Sequence, residues 1–216
     1  MTDTASGLRA PIMLWLLVVA IVGCHLAFTL APRGVQDSVD LAFALIPARF
    51  HGDNPLAFQH WYEAAGPIFG HAFLHVAWWH AGLNALFFFM LGRLPAQVLG
   101  PWRFLALFLV SAAGGALAFL ALNWNGDDLA VGASGAVCGV FSAYFLALRP
   151  SWTQALTDPR IRGQFGMIFF VNVVLMGAAA ELGVFPVAWE AHLGGFVGGA
   201  LAYIALAPRR VAGPWG

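Results

Sequence analysis

Residues Ala188–Ala207 read AWEAHLGGFVGGALAYIALA, with Glu190 near the start as the only charge. A crossing of the bilayer needs about 20 mostly apolar residues, and this segment has that length. Its glycines fall in a pattern: His192, Gly195 and Gly199 stand at i, i+3 and i+7 on one helix face, with Gly194 and Gly198 beside them. A ridge of such small residues lets two helix backbones approach closely, and in lipid that close packing is a main source of helix association. The segment is weak on hydropathy alone, so its place is inside a helical bundle.

Working outward, five more segments read as spans: Pro11–Ala31, Phe73–Leu91, Phe104–Leu122, Ala130–Leu148 and Phe165–Leu182. The fourth is again rich in Gly, Ala and Ser, and Gly135 and Gly139 form a second small ridge in it. Composition agrees. Of 216 residues, 61% are apolar and 9% charged, against about 25% charged in soluble domains. No soluble core of this size could bury so much apolar side chain, and disordered chains are polar. The expected fold is an all-α integral membrane bundle of six transmembrane helices, forming one domain over residues 1–216. The first apolar run follows Arg9 and ends in Thr29-Leu30-Ala31. It is longer than the ~7–15 residues of a signal-peptide core and reads as an uncleaved helix. Cys24 and Cys138 both lie in apolar segments and read as packing residues.

The connectors are short except for Pro32–Ala72, which carries Pro32, Pro47, Pro55 and Pro67, a Gly52-Asp53-Asn54-Pro55 turn and an apolar patch at Leu41–Ile46. A loop of that length is normally functional or disordered, and its apolar content suggests a structure lying in the membrane interface. Net charge is zero, from ten arginines and ten acids, which gives no reason to expect a nucleic-acid partner. The arginines are unevenly placed. With six spans, one side holds Arg9, Arg93, Arg103, Arg149, Arg160, Arg162, Arg209 and Arg210. The other holds Arg33 and Arg49 with eight of the ten acids, among them Asp53, Asp127, Asp128, Glu181 and Glu190. The arginine excess marks the cytoplasmic face. Both termini are therefore expected inside, with the long loop outside and the whole in the cell (plasma or inner) membrane.

Polar residues at membrane depth are rare and informative. Three groups stand out: His71, His75, His80 and Asn84 at the start of the second span, Gly132-Ala133-Ser134-Gly135 at the start of the fourth, and Glu190-Ala191-His192 at the start of the sixth. All three spans run from outside to inside, so the groups share the outer level. Each has a plainer reading alone: serine among glycines as a helix contact, histidine as an interfacial residue, His80 and Asn84 as an interhelical hydrogen bond. Their common depth favours a shared site. Packing the two glycine ridges together would bring His192 within reach of Ser134, and a neutral imidazole beside a serine hydroxyl is the minimal activated nucleophile for acyl transfer.

The ordered set His75-x-x-x-x-His80-x-x-x-Asn84, Gly132-x-Ser134-Gly135 and Ala191-His192-x-x-Gly195-x-x-x-Gly199 resembles the motifs of the rhomboid intramembrane serine proteases, over about Trp61 to Ala207. The resemblance implies Ser134 as nucleophile, His192 as base, and His80 and Asn84, with the Ser134 N–H, as oxyanion donors. It implies transmembrane protein substrates within the lipid bilayer, reaching the site past the fifth span. Two positions depart from the family: Trp61 is followed by Tyr62 where family members often have Arg, and Cys138 stands where an aromatic commonly packs on the catalytic imidazole. Glu190, two residues before His192, points to another face, which leaves a Ser-His dyad. Asn172 in the fifth span reads as a packing hydrogen bond. No cofactor is implied, and no H-E-x-x-H metal motif is present, although His71 and His75 stand at i, i+4. Two other classes fit less well: a catalytically silent relative that binds or escorts transmembrane clients, and a small transporter, for which the repeated halves are missing.

Overall fold

The computed structural model of the chain describes residues 11–51 and 54–208; Arg9, Asp53, Arg209 and Arg210 lie outside them. The fold is helical, and the extended pairing among the described residues is one antiparallel bridge between Leu45 and Ala130. In chain order the helices are α1 (Ile12–Leu30), α2 (Arg33–Phe43), α3 (Ala65–Gly70), α4 (Trp78–Leu99), α5 (Pro101–Leu122), α6 (Ser134–Ala147), α7 (Trp152–Thr157), α8 (Pro159–Phe169), α9 (Met176–Glu181) and α10 (Trp189–Leu206). A π-helical segment, Phe170–Leu175, joins α8 to α9. Proline starts several of these elements where its missing N–H costs nothing: Pro11 and Pro32 precede α1 and α2, and Pro101 opens α5. Gly100, at φ 75°, ends α4 and caps α5, so two long helices reverse direction through one residue.

Four helices among the described residues are long and apolar enough to cross a membrane: α1, α4, α5 and the continuous stretch Pro159–Glu181. α6 is apolar but has 14 residues, about 21 Å of helix at 1.5 Å per residue. The short length reflects its start. The sequence places the fourth span from Ala130, whereas the helix begins at Ser134, because Ala130 is held in extended pairing with Leu45 and Gly132 turns the chain at φ 129°. Likewise the second span begins at Trp78 rather than Phe73, which leaves His71 and His75 in the preceding segment, and the fifth begins at Pro159 rather than Phe165.

The core lies where α10 packs against α5 and α6. Phe104 and Phe108 of α5, Val140 of α6, Phe196 of α10, Phe88 of α4 and Leu14 and Ile21 of α1 are fully or almost fully buried. The first loop is folded and tied to the loop that leads into α6. Leu45 and Ala130 exchange N–H···O bonds of 3.0 and 2.9 Å, Ala48 N–H donates to Gly126 O (3.0 Å), and the His51 ring donates to Trp124 O. Arg49 donates to the carbonyls of Leu56 and Leu41 and lies over the Phe58 ring, 4.2 Å from its centroid. α2 has no buried residue, as an amphipathic helix on the rim of a bundle would have. Between α6 and α8, Arg149 Nε donates to Asp158 (2.9 Å), whose other carboxylate oxygen caps α8 by accepting from Arg160 N–H (2.8 Å).

Candidate active site

The site is built on contact between backbones. A Cβ placed on Gly195 of α10 would lie 2.0 Å from Gly135 O of α6, and one on Gly199 would lie 2.2 Å from Gly139 Cα. In the other direction, a Cβ on Gly135 would meet Ala191 O at 3.0 Å. The two ridges read from the sequence therefore face each other. The residues that touch at the end of this seam where both helices begin, Gly135 and Ala191, are the chain neighbours of Ser134 and His192. Ser142 of α6 adds a lateral bond, its hydroxyl donating to Phe196 O of α10 (2.8 Å). On its other side α10 meets α5 in the same way: Cβ atoms on Gly114 and Gly115 would lie 2.7 and 2.8 Å from Gly194 O and Ala191 O. Two adjacent glycines in mid-span, Gly114-Gly115, are the signal of this second contact in the sequence.

Ser134 is the first residue of α6 and is half-buried. At that position its N–H has no carbonyl one turn back to bond to. The loop before it is clamped by the histidine block. Gly132 N–H donates to His71 O (2.9 Å), and Ala133 N–H donates to His75 Nε2 (3.3 Å). A Cβ on Gly132 would stand 2.7 Å from His80 Cε1, so glycine is required there for close approach as well as for its φ. The His75 and His80 rings pack edge to face, 5.0 Å between centroids. His71 is itself fixed by a bond from its Nδ1–H to Pro67 O (2.8 Å); burial pulls its pKa down from 6.5 to about 4, against the opposing effect of its bonds to the Pro67 and Ile68 carbonyls. His75 thus serves as a clamp on the loop, a role the sequence did not assign to it.

Asn84 follows His80 by one turn and is buried. Its side-chain nitrogen, and Nδ1 of His80, have no hydrogen-bond partner among the described residues. Nδ1 of His75 and both ring nitrogens of His25 are likewise buried with no hydrogen-bond partner among the described residues.

His192 sits in the first turn of α10, buried, and its Nδ1 lies 3.0 Å from the main-chain carbonyl of Asn172 in the π segment. The hydrogen bond of Glu190 goes elsewhere: its carboxylate accepts from Asn123 Nδ2 (2.9 Å) and ties the start of α10 to the residue that ends α5. The Asn172 side chain bonds within its own helix, to Ile168 O (2.9 Å), rather than to a neighbouring helix. Of the residues singled out in the sequence, Ser134 and His192 lie on two helices that share a glycine seam, and His80 lies against the loop that precedes Ser134.

A model of the rhomboid domain family matches residues 59–209, well over half of the chain and including every motif described above. The chain belongs to the rhomboid family. Among curated relatives it is 34% identical to "Rhomboid protein 1, mitochondrial" of Saccharomyces cerevisiae over 62% of this chain and 40% of that protein. It is 29% identical to "RHOMBOID-like protein 5" of Arabidopsis thaliana over 58% of this chain and 39% of that one. "RHOMBOID-like protein 1" of the same plant is 31% identical over 62% and 32%. The matches span two-fifths or less of these relatives. Membership in the family and four membrane-length apolar helices make this rhomboid a multi-pass, membrane-embedded protein.

Proposed function

We propose that this rhomboid is an intramembrane serine endopeptidase that cleaves peptide bonds in or near transmembrane segments through a Ser134–His192 dyad. The observation that carries the reading is the glycine seam, which brings α6 and α10 backbone to backbone at Gly135 and Ala191, the chain neighbours of Ser134 and His192. Ser134 Oγ attacks the peptide carbonyl while His192 removes its proton; the imidazolium then protonates the leaving amine, and water hydrolyses the acyl-enzyme with the same roles reversed. The oxyanion is held by the Ser134 N–H at the helix start and by the His80 and Asn84 side chains, whose unpaired donor atoms support that role. Substrates are transmembrane proteins whose helix is locally unwound near the outer leaflet, since an intact helix keeps its peptide groups in its own hydrogen bonds. In this reading residues 1–216 form one domain in which α6 and α10 complete a set of six spans. The arginine distribution supports an orientation with both termini in the cytoplasm and the long first loop outside the cell membrane.

The test is labelling with a fluorophosphonate probe, in lipid and in detergent, followed by mapping of the adduct. The expected result is an adduct on Ser134 that is absent from Ser134→Ala and His192→Ala. A folded protein that takes no probe would overturn the protease reading in favour of a silent relative that binds transmembrane clients.

A further inference from the structure

Resting on the dyad reading, we infer that the third position of the catalytic array is filled by a main-chain carbonyl, that of Asn172, which the π-helical turn of the fifth span releases toward His192. In an α-helix the Asn172 carbonyl would accept from the N–H of Met176, four residues on. Here the Met176 N–H turns instead to the carbonyls of Val171 and Val173. The oxygen so released lies 3.0 Å from His192 Nδ1. A carbonyl only accepts, so the proton is on Nδ1. The neutral ring then carries its lone pair on Nε2, the nitrogen free to take the Ser134 proton. Orienting the imidazole through one nitrogen so that the other can act is the usual task of a third group in such arrays. Glu190, the nearest carboxylate in sequence, is engaged with Asn123.

The same turn also covers its own loss. Asn172 Nδ2 donates to Ile168 O at 2.9 Å, one turn back, which keeps that carbonyl paired where the helix widens. The Asn172 carbonyl freed by the turn is in turn paired with His192, so it is not an orphan in the membrane, where each unpaired backbone group is costly. Asn172 is therefore a positioning residue. Its side chain supports the turn, and its carbonyl sets the tautomer of the base. Isolated π turns of this kind are often found at functional sites, and this one meets α10 at its proposed base.

The test replaces one amide by an ester. An α-hydroxy acid in place of Val173 turns the Asn172 carbonyl into an ester carbonyl, a weaker acceptor, with all side chains kept; the control places the ester at Leu175, which weakens the carbonyl of Val174 instead. Two readouts are taken on full-length protein in lipid: 15N NMR of imidazole-labelled histidine, assigned with His192→Phe, and the rate of fluorophosphonate labelling at Ser134. The inference expects the Nδ1–H tautomer for His192 in the unmodified protein. It also expects a mixed tautomer with labelling slowed roughly tenfold to a hundredfold for the ester at 173, the range seen when a histidine loses its orienting partner, and little change for the ester at 175. A second variant, deletion of Val174, returns the segment to α-helical register and should act like the ester at 173. The inference is overturned by an Nε2–H tautomer in the unmodified protein, or by equal behaviour of the two esters. A protein with the Nδ1–H tautomer that takes no probe overturns the protease reading instead, while the tautomer assignment stands.

Discussion

The seam between α6 and α10 and the fifth span hold His192 from two sides, and they are built in opposite ways. At the seam nearly every residue of α6 is buried, and glycine faces glycine with no room for a methyl group. In the fifth span, Pro159–Glu181, only 11% of the most apolar window is buried, against 44% in α5, and two of its glycines, Gly163 and Gly166, face open space. One side fixes where the imidazole is; the other fixes which nitrogen carries the proton. Position is thus entrusted to an interface that cannot slide, and chemical state to one hydrogen bond from a loosely packed helix. The contrast teaches that glycine has no single meaning in a membrane span. At the seam it is a spacing device, while in α8 it is a helix interior without a side chain.

Substitution separates the two most sharply at Gly195. Gly195→Ala puts a methyl carbon 2.0 Å from Gly135 O, a main-chain atom that cannot step aside. A loss of about 3 kcal/mol or more is expected from overpacking, read as a lowered unfolding midpoint in mixed micelles together with loss of probe labelling. Next is the loop that feeds the seam. His71 is neutral when folded, with its pKa held near 4, while the unfolded chain takes up a proton near 6.5. The stability it contributes is therefore complete above 6.5 and is lost as pH falls toward 4. Between pH 7 and pH 5 the loss should be about 2 kcal/mol, and His71→Gln should flatten the profile. The same substitution as at the seam, made in the fifth span, should reverse sign. Gly166→Ala meets nothing within 4 Å and should stabilise by about 0.5–1 kcal/mol through helix propensity alone. The smallest effect is expected at Val174, whose side chain is half exposed. Val174→Leu should stay within about 0.5 kcal/mol, so a larger change would mean that this face of the span is covered in the membrane.

The two regions were also unequally legible in the sequence. Gly135, Gly139, Gly195 and Gly199 announce themselves, because small residues at i and i+4 among large apolar ones have a physical reading that does not depend on the partner. Ser134, His192, His80 and Asn84 stand out as candidates through the ordered motifs that carry the resemblance to the family. What escaped was local geometry. Hydropathy cannot distinguish a helix from an extended lead-in, so the second and fourth spans seemed to begin four or five residues too early; the pairing of Leu45 with Ala130, which sets the start of α6, joins residues far apart in the chain. The π turn left no trace, since FVNVVL carries no glycine or proline and reads as ordinary apolar helix. Asn172 was visible only as a polar side chain, whereas the group that meets His192 is its main-chain oxygen, which every residue type possesses.

The backbone contact between α6 and α10 has a further consequence, for motion. A packed core of leucines or phenylalanines keeps some disorder, because each side chain has torsions that hop between rotamers. Gly135, Gly139, Gly195 and Gly199 have none. The spacing between the two helices can therefore change only by moving whole helices or by bending peptide planes. Warming the protein should leave the distance between the Ser134 and His192 main chains almost unaltered until the bundle itself comes apart. Loss of alignment on heating should be abrupt rather than gradual.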